Sequence, residues 1–219
     1  MGLYANDRLN LPQPTAPATS PIPLVVYGGS SAVGSYAIQL ANRSNIHPII
    51  AVAGRARDYV EQMLDRSKGD TIVDYRQGDD TLVREITTAL NGAKLHYAFD
   101  ATAGQNSFQN LSKVLEIGSS KITIVLPPEH DMTKNGRYAE IPASITQSMT
   151  MVGSVHEECQ DLGYVFCRYF SKGLEEGWFR AHPQEEIPGG LAGIESGLRR
   201  LKDGSASAVK FVYKIEDTP

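Results

Sequence analysis

Residues 23–41 read PLVVYGGSSAVGSYAIQLA, and this stretch decides the fold. Residues 24–27 form a short apolar run with two valines, which is typical of a strand buried on both faces. Gly28 and Gly29 interrupt the run, and from Val33 onward apolar residues recur at helical spacing. The stretch therefore predicts a strand, a tight glycine turn and a helix.

The predicted turn has the chemistry of an anion-binding site. Free backbone N–H groups and the positive end of a helix dipole converge at such a turn, which suits a pyrophosphate. Gly29, Ser31 and Gly34 stand where the GxGxxG fingerprint has its glycines. Gly29 would make the turn, Gly34 would let the helix pack close to the strand, and Ser31 replaces the middle glycine. A glycine turn after a strand is also often only a βα connection, so the turn alone leaves both interpretations open.

Composition limits the class of protein. The chain has 219 residues, which is enough for one α/β domain and short for two. Its net charge of −4, with scattered lysines and arginines, argues against nucleic acid or an anionic membrane as a partner. Cys159 and Cys167 form no CxxC motif, which argues against a disulfide framework or a zinc site and fits a reducing compartment. No run is long enough to span a bilayer, and the first residues lack the apolar core of a signal peptide, so we expect a cytoplasmic protein.

Strands and helices alternate along most of the chain. After the first strand, further strands are predicted at 49–53, 71–73, 95–99, 121–126 and 144–155, with helices between most of them. This alternation predicts an α/β fold, a Rossmann-type doubly wound parallel sheet with helices on both faces.

The pattern also suggests an organisation into three parts. Residues 1–22 are rich in proline and predict an extended arm, either disordered or docked. Residues 23–160 are expected to form the dinucleotide-binding domain, in which 127–142 is a polar loop long enough to be functional. Residues 161–219 predict helices, one of them rich in aromatic residues that we interpret as core, and a last strand. We expect this part to pack on the sheet or to return to a domain that the chain does not have.

The residues after the second and third strands indicate which dinucleotide is bound. An NAD site places an acidic residue after the second strand, where it accepts from the ribose 2′-hydroxyl. This chain has Gly54 and then Arg55, whose guanidinium can hold a phosphate, and Tyr75 follows the third strand on the same edge. The combination predicts NADP(H). The alternative is that Arg55 and Arg57 are solvated residues at the start of a helix.

Other common chemistries lack their motifs. The five histidines form no HxxxH or HxH pair that would suit zinc, no tyrosine has a lysine four residues on, and no GxSxG occurs. We therefore assign no catalytic residue and no metal ligand. Hydride transfer does not require an acid–base residue, because the nicotinamide cofactor carries the chemistry.

Five segments together carry a resemblance to a known superfamily. In order, they are YGGSSAVGSYAIQLA, AVAGRARDYV, DTIVDYR, AFDATAG and PGGLAGIESGLRRLKDGSASAVKFVYKI. They resemble the medium-chain dehydrogenase/reductases, and more closely the zinc-independent quinone oxidoreductases and the fungal trans-acting enoyl reductases. The resemblance extends from about residue 11 to residue 215.

The resemblance implies a cofactor role for specific positions. Around the pyrophosphate they are Gly29, Ser30, Ser31, Ala32, Val33 and Gly34, and at the 2′-phosphate they are Arg55 and Tyr75. Residues 100–104, including Ala101, would border the adenosine, and the nicotinamide would lie near Val125, Leu126, Gly153, Ser154 and Val155. One departure is Ser205, which stands where the family often has a basic residue.

The resemblance also implies a function and a larger departure. Medium-chain enzymes begin with a catalytic domain that covers the nicotinamide, whereas this chain begins at the family's linker. We expect a truncated form, or the product of a gene that lacks that half. The implied function is the NADP(H)-binding part of a reductase for a quinone, an enone or an enoyl thioester, inactive alone. The alternative is a non-catalytic NADPH-binding or interaction module. An exposed edge strand at 144–155 would favour a homodimer.

Overall fold

The computed structural model describes residues 1–104, 106–125 and 141–219. The first three strands and helices are β1 (Leu24–Tyr27), α1 (Ala32–Arg43), β2 (Ile49–Val52), α2 (Arg57–Glu61), β3 (Thr71–Val73) and α3 (Asp79–Leu90). They are followed by β4 (Tyr97–Asp100), α4 (Ser107–Val114), β5 (Lys121–Ile124) and β6 (Thr146–Met149). The last elements are α5 (Gln160–Glu176), β7 (Gln184–Glu186), α6 (Ile194–Lys202) and β8 (Lys210–Val212).

Six strands form one parallel sheet in the order β3-β2-β1-β4-β5-β6. The chain first builds outward from β1 to β3 and then crosses to β4 on the other side of β1. This is the doubly wound order in which ligands bind at the carboxyl ends of the strands, where the order reverses. The predicted α/β fold of the Rossmann type is confirmed.

The two faces of the sheet are covered by different elements. Alternate side chains of a strand point to opposite faces, and all four residues of β1 are fully buried or nearly so. Leu24 and Val26 pack on the face that holds α1, whereas Val25 and Tyr27 pack on the face that holds α3 and α4. A strand that is apolar throughout is stable only between two such layers.

The proline-rich arm, residues 1–22, is docked rather than loose along part of its length. Leu3, Leu9 and Leu11 are buried in the same core as α1. The Tyr4 hydroxyl donates to the Leu40 carbonyl at 2.9 Å, and the Tyr4 ring stacks on Phe166 of α5 at 5.1 Å between ring centroids. The leucines that precede the first proline supply the apolar area that fixes the arm, and the prolines after them disfavour a helix.

Four of the six strands in the large sheet have bounds that differ from the predicted ones, and the difference is largest in β6. The strand expected at 144–155 spans only Thr146–Met149, because its neighbour β5 offers four residues for pairing, and a short 3₁₀ helix follows at Val152–His156. In the described part of the chain β6 is an end strand of the sheet, as expected, and the homodimer stays a prediction. The last strand, β8, pairs with β7 in a separate two-stranded sheet. None of the described helices is both long and apolar enough to cross a membrane.

Candidate nucleotide-binding site

The turn between β1 and α1 lies where the strand order reverses. Gly28 has the left-handed backbone conformation of this turn, with φ 79°, and the sequence analysis had assigned the turn to Gly29. A Cβ atom on Gly28 would lie 2.5 Å from Thr102 Cγ2. Gly29 instead fits between Ala51 and Ile38, since its Cβ would lie 3.2 Å from a side-chain carbon of each. The backbone conformation and the close contact at Gly28 both require glycine, whereas a side chain at position 29 would push its two neighbours by a few tenths of an ångström.

The first turn of α1 packs tightly against this glycine turn. Ser31 is the N-cap, and its Oγ accepts the N–H of Gly34 at 3.0 Å. A Cβ on Gly34 would lie 2.2 Å from the carbonyl oxygen of Gly28, so only glycine allows the helix to approach so closely. The close approach fixes where the helix N-terminus points.

The N-terminus of α1 can accept an anion. The backbone N–H groups of Ala32 and Val33 have no acceptor in the described ranges of the chain. No acidic side chain occupies the first turn, and Val33 is 45% exposed. Unpaired N–H groups and the helix dipole together favour negative charge at this point.

Two cavities, each of about 400 Å³, flank the N-terminus of α1. The adenosine-side cavity is lined by Ser30 and Ser31, by Gly54, Arg55 and Tyr75, and by residues 206–208 near the end of the chain. The apolar cavity is lined by Val33, Ala101, Val125, Thr150 and Val152, and by residues 1–4 of the arm. One cavity is mixed in polarity and the other almost wholly apolar, which suits the two unlike ends of a dinucleotide.

Gly54, which stands after β2 where an NAD site would have an acidic residue, has little room for a side chain. A Cβ on Gly54 would lie 2.9 Å from Cε1 and 3.2 Å from the hydroxyl oxygen of Tyr75. The tyrosine ring therefore lies against the backbone of Gly54. The neighbouring Arg55 is exposed, and its Nη2 donates to the carbonyl oxygen of Gly204 at 2.5 Å.

Asp100, at the end of β4, is fully buried and organises the next loop. Its Oδ1 accepts the backbone N–H groups of Thr102 and Ala103, both at 3.0 Å, and its Oδ2 accepts the Ser107 hydroxyl. Both oxygens of the Asp100 carboxylate therefore accept hydrogen bonds from residues that follow it in the chain. Of residues 100–104, which are expected to border the adenosine, Thr102 and Gly104 line the cavity beside Gly54 and Tyr75, whereas Ala101 lines the apolar cavity.

The residues expected near the nicotinamide are separated by the structure. Val125 lines the apolar cavity, whereas Gly153, Ser154 and Val155 lie in the 3₁₀ helix and are absent from its lining. Thr150 and Val152 line the cavity in their place, because β6 ends earlier than predicted. Leu126 and all of the expected loop 127–142 except its last two residues lie outside the described residues.

Several lining residues were missed by the sequence analysis. Residues at the carboxyl ends of parallel strands line such a site. This rule would have identified Thr150 and Val152 if the sequence had shown where β6 ends. Residues 1–4 and 206–208 carry no local motif, because they reach the site from the two ends of the chain. Within the described ranges, no group of three or more His, Cys, Asp or Glu residues could hold a metal ion.

His182 is a half-buried imidazole beside the start of α1. Its Nδ1 lies 3.1 Å from the Tyr59 hydroxyl and 3.4 Å from Ser35 Oγ, and its backbone N–H donates to the Tyr36 hydroxyl at 3.0 Å. Burial, and to a smaller extent the positive charge of Lys210, lower the pKa of His182 below its ordinary value.

We expect this histidine to make folding less favourable in mild acid. Because its pKa is lowered in the folded chain, the unfolded chain binds a proton first as the pH falls, and the stabilisation is lost below the ordinary histidine pKa of about 6.5. The free energy of unfolding in urea, measured at about pH 8 and about pH 5.5, should fall less in the His182→Gln variant than in the parent chain. The control is His156→Gln, which removes an exposed imidazole. Equal pH dependence in the parent chain and the His182→Gln variant would contradict the expectation.

Comparisons with known proteins identify relatives of the chain. No protein-family model matches the chain. The trans-enoyl reductase fsr4 of Gibberella fujikuroi is 47% identical over 193 residues, which cover 87% of this chain and 54% of that protein. The trans-enoyl reductase ACTTS2 of Alternaria alternata is 29% identical over 223 residues, which cover 99% of this chain and 62% of that protein.

Solved structures share the fold at low sequence identity. The JamJ enoyl reductase in its apo form superposes with a TM-score of 0.67 and 15% identity, covering 96% of this chain and 58% of that one. A quinone oxidoreductase of Pseudomonas syringae superposes with a TM-score of 0.67 and 14% identity, covering 90% of this chain and 58% of that one. The chain spans 54–62% of the length of the curated relatives described above. The chain is therefore a homologue of trans-enoyl reductases over most of its length, and it shares its fold with an enoyl reductase and a quinone oxidoreductase.

Proposed function

We propose that this chain binds NADP(H) and forms the nucleotide-binding part of a reductase that acts on an activated carbon–carbon double bond. The observation that carries the proposal is the pair of cavities on either side of the α1 N-terminus. The adenosine would occupy the cavity beside Gly54 and Tyr75, the pyrophosphate would receive the N–H groups of Ala32 and Val33, and the nicotinamide would lie against Val125. When bound, the cofactor supplies the hydride.

The proposed substrate class is inferred from the activity in the relatives' names. Those described above are trans-enoyl reductases, so we propose an enoyl thioester as the substrate, ahead of an enone or a quinone. The residues of this chain would bind and orient the cofactor and keep water from one face of the nicotinamide with apolar walls. Excluding water strengthens the fixed electrostatic interactions around the reacting atoms.

NADPH is expected to bind about ten- to a hundredfold more tightly than NADH. The arginine at position 55 would donate a charge-assisted hydrogen bond to the 2′-phosphate, which contributes roughly 1.5–3 kcal/mol. Arg55→Ala should lower the affinity for NADPH to about that for NADH, as measured by titration calorimetry with both nucleotides. Arg57→Ala is the matched control, because Arg57 is also exposed but does not line the cavity. Equal losses in the two variants would refute the assigned role of Arg55.

The chain by itself is expected to bind NADPH without turnover. It matches 54% of fsr4, and we propose that the part of such reductases that it does not match holds the substrate against the nicotinamide. Such positioning can account for about 7–11 kcal/mol of a barrier. The measurement is the absorbance of NADPH with a panel of enoyl thioesters, enones and quinones.

One result would decide between the candidate roles. Sustained oxidation of NADPH that is lost in a Gly29→Asp variant would show that the chain is complete as a catalyst. A non-catalytic NADPH-binding module remains the alternative, and it is favoured only in that the described lining of the apolar cavity contains no Asp, Glu, His, Cys or Lys side chain.

A further inference from the structure

A short segment near the end of the chain forms one wall of the adenosine-side cavity. We call residues 204–208, with the sequence GSASA, the closing segment. Ala206, Ser207 and Ala208 line the cavity together with Gly54 and Tyr75. Their side chains are small, and we expect a much larger side chain in this lining to reduce the space in the cavity.

The closing segment is held at both ends. At its start, the N–H of Ser205 donates to the carbonyl of Arg200 at 2.9 Å, at the end of α6. At its end, β8 pairs with β7, and the N–H of Lys210 donates to the carbonyl of Pro183 at 2.8 Å. The guanidinium of Arg200 joins the two ends, since it forms an ion pair with Glu185 of β7 and lies 4.4 Å from the ring centroid of Phe211 in β8.

The unit that carries the closing segment is itself docked on α1. The Gln39 side chain accepts the N–H of Arg180 at 2.7 Å and donates to its carbonyl at 3.2 Å. The N–H of His182 donates to the Tyr36 hydroxyl at 3.0 Å. The same helix whose N-terminus faces the proposed pyrophosphate therefore also fixes the position of the closing segment.

Arg55 connects the closing segment to the proposed 2′-phosphate site. Its Nη2 donates to the Gly204 carbonyl at 2.5 Å. A guanidinium has five N–H donors in a fixed planar fork, so one contact with a carbonyl leaves others directed elsewhere. The carbonyl thus restrains a long side chain at the rim of the cavity before any ligand arrives.

We propose that the closing segment is a specificity-determining part of the nucleotide site. Its side chains close the adenosine side, and the Gly204 carbonyl positions Arg55 for the 2′-phosphate. This inference rests on the proposed binding of NADP(H). It differs from the role of Arg55 alone, because it makes the preference for NADPH depend on a segment about 150 residues further along the chain.

The first test places the same bulky side chain inside the segment and just before it. Ser207→Trp should weaken the binding of both NADPH and NADH more than tenfold, because Ser207 lines the cavity. Lys202→Trp should leave both affinities within about twofold, because Lys202 is exposed at the end of α6 and lies outside both the segment and the lining. Titration calorimetry gives the affinities, and circular dichroism compares the folding of the two variants. Equal affinities in the two variants would overturn the proposal.

The second test needs only the parent chain and Arg55→Ala. Hydrogen exchange of a peptide that covers residues 203–209 should slow more with saturating NADPH than with saturating NADH, and this difference should disappear in Arg55→Ala. Identical protection by the two nucleotides in the parent chain would overturn the positioning role. If the parent chain binds neither nucleotide, both the proposed function and this inference fail. If it binds NADPH but the exchange of residues 203–209 does not slow, only this inference fails.

Discussion

Replacing Gly34 by alanine should destabilise the fold by about 1–3 kcal/mol, the range for overpacking a close contact. Glycine to alanine inside a helix ordinarily stabilises by about 0.5–1 kcal/mol, so the expected sign is the reverse of the usual one. The reason is that the new Cβ would lie 2.2 Å from the Gly28 carbonyl oxygen, a backbone atom that cannot rotate away. The helix must shift, and its N-terminus would shift with it, so the affinity for NADPH should also fall.

The matched control for this change is Gly153→Ala. Gly153 also lacks a left-handed φ, and a Cβ there would meet no atom within 4 Å. In a chain of this size each kcal/mol lowers the midpoint of thermal unfolding by about 2–4 °C, so Gly34→Ala should unfold several degrees below Gly153→Ala. If the two variants unfold at the same temperature, the close approach of α1 to the glycine turn is not needed for stability.

A carboxylate introduced in the first turn of α1 should lower the affinity for NADPH without lowering the free energy of unfolding. Val33→Asp should leave the free energy of unfolding unchanged or raise it by about 0.3–1 kcal/mol, because a negative charge at a helix N-terminus is favourable. The same charge would repel a pyrophosphate at the same N–H groups. At about 4 Å and an effective dielectric constant near 20, the repulsion is about 4 kcal/mol, so the affinity for NADPH should fall at least a hundredfold.

The uncharged variant Val33→Asn isolates the effect of charge. Asparagine has nearly the shape of aspartate, and both variants lose the apolar side chain that lines the cavity. The affinity for NADPH should therefore be much lower in the aspartate variant than in the asparagine variant, and the gap should narrow at high salt. Equal affinities would place the pyrophosphate away from this helix end.

The alternation of strands and helices could be predicted because its signals are local. The apolar run before Gly28 and the helical spacing after it lie within 20 residues, and similar units follow it along the chain. Element ends were less predictable, as the predicted strand 144–155 shows. The sequence of this segment alone is typical of a longer strand. In the structure the pairing of β6 with β5 ends where β5 ends, and β5 lies in another part of the chain.

The candidate site was predictable only where a local motif serves it. The glycine turn, Arg55 and Tyr75 are close to strand ends, and the structure brings them to neighbouring cavity walls. Residues 206–208 reach the same cavity through the docking of a distant unit, which no local pattern encodes. Asp100 stands at a strand end too, yet its oxygens are occupied by its own loop, and sequence alone does not reveal that the donors are so near.

The contact between Gly54 and Tyr75 couples the side chains that the two positions can carry. A side chain at position 54, such as the acidic residue of an NAD site, would place its Cβ 2.9 Å from Cε1 of the tyrosine ring. In a lineage that changes residue 54 first, the ring of Tyr75 would have to move, whereas a lineage that first replaces Tyr75 by a small residue would make room at position 54. We therefore expect substitutions at these two positions to occur together in relatives of the chain.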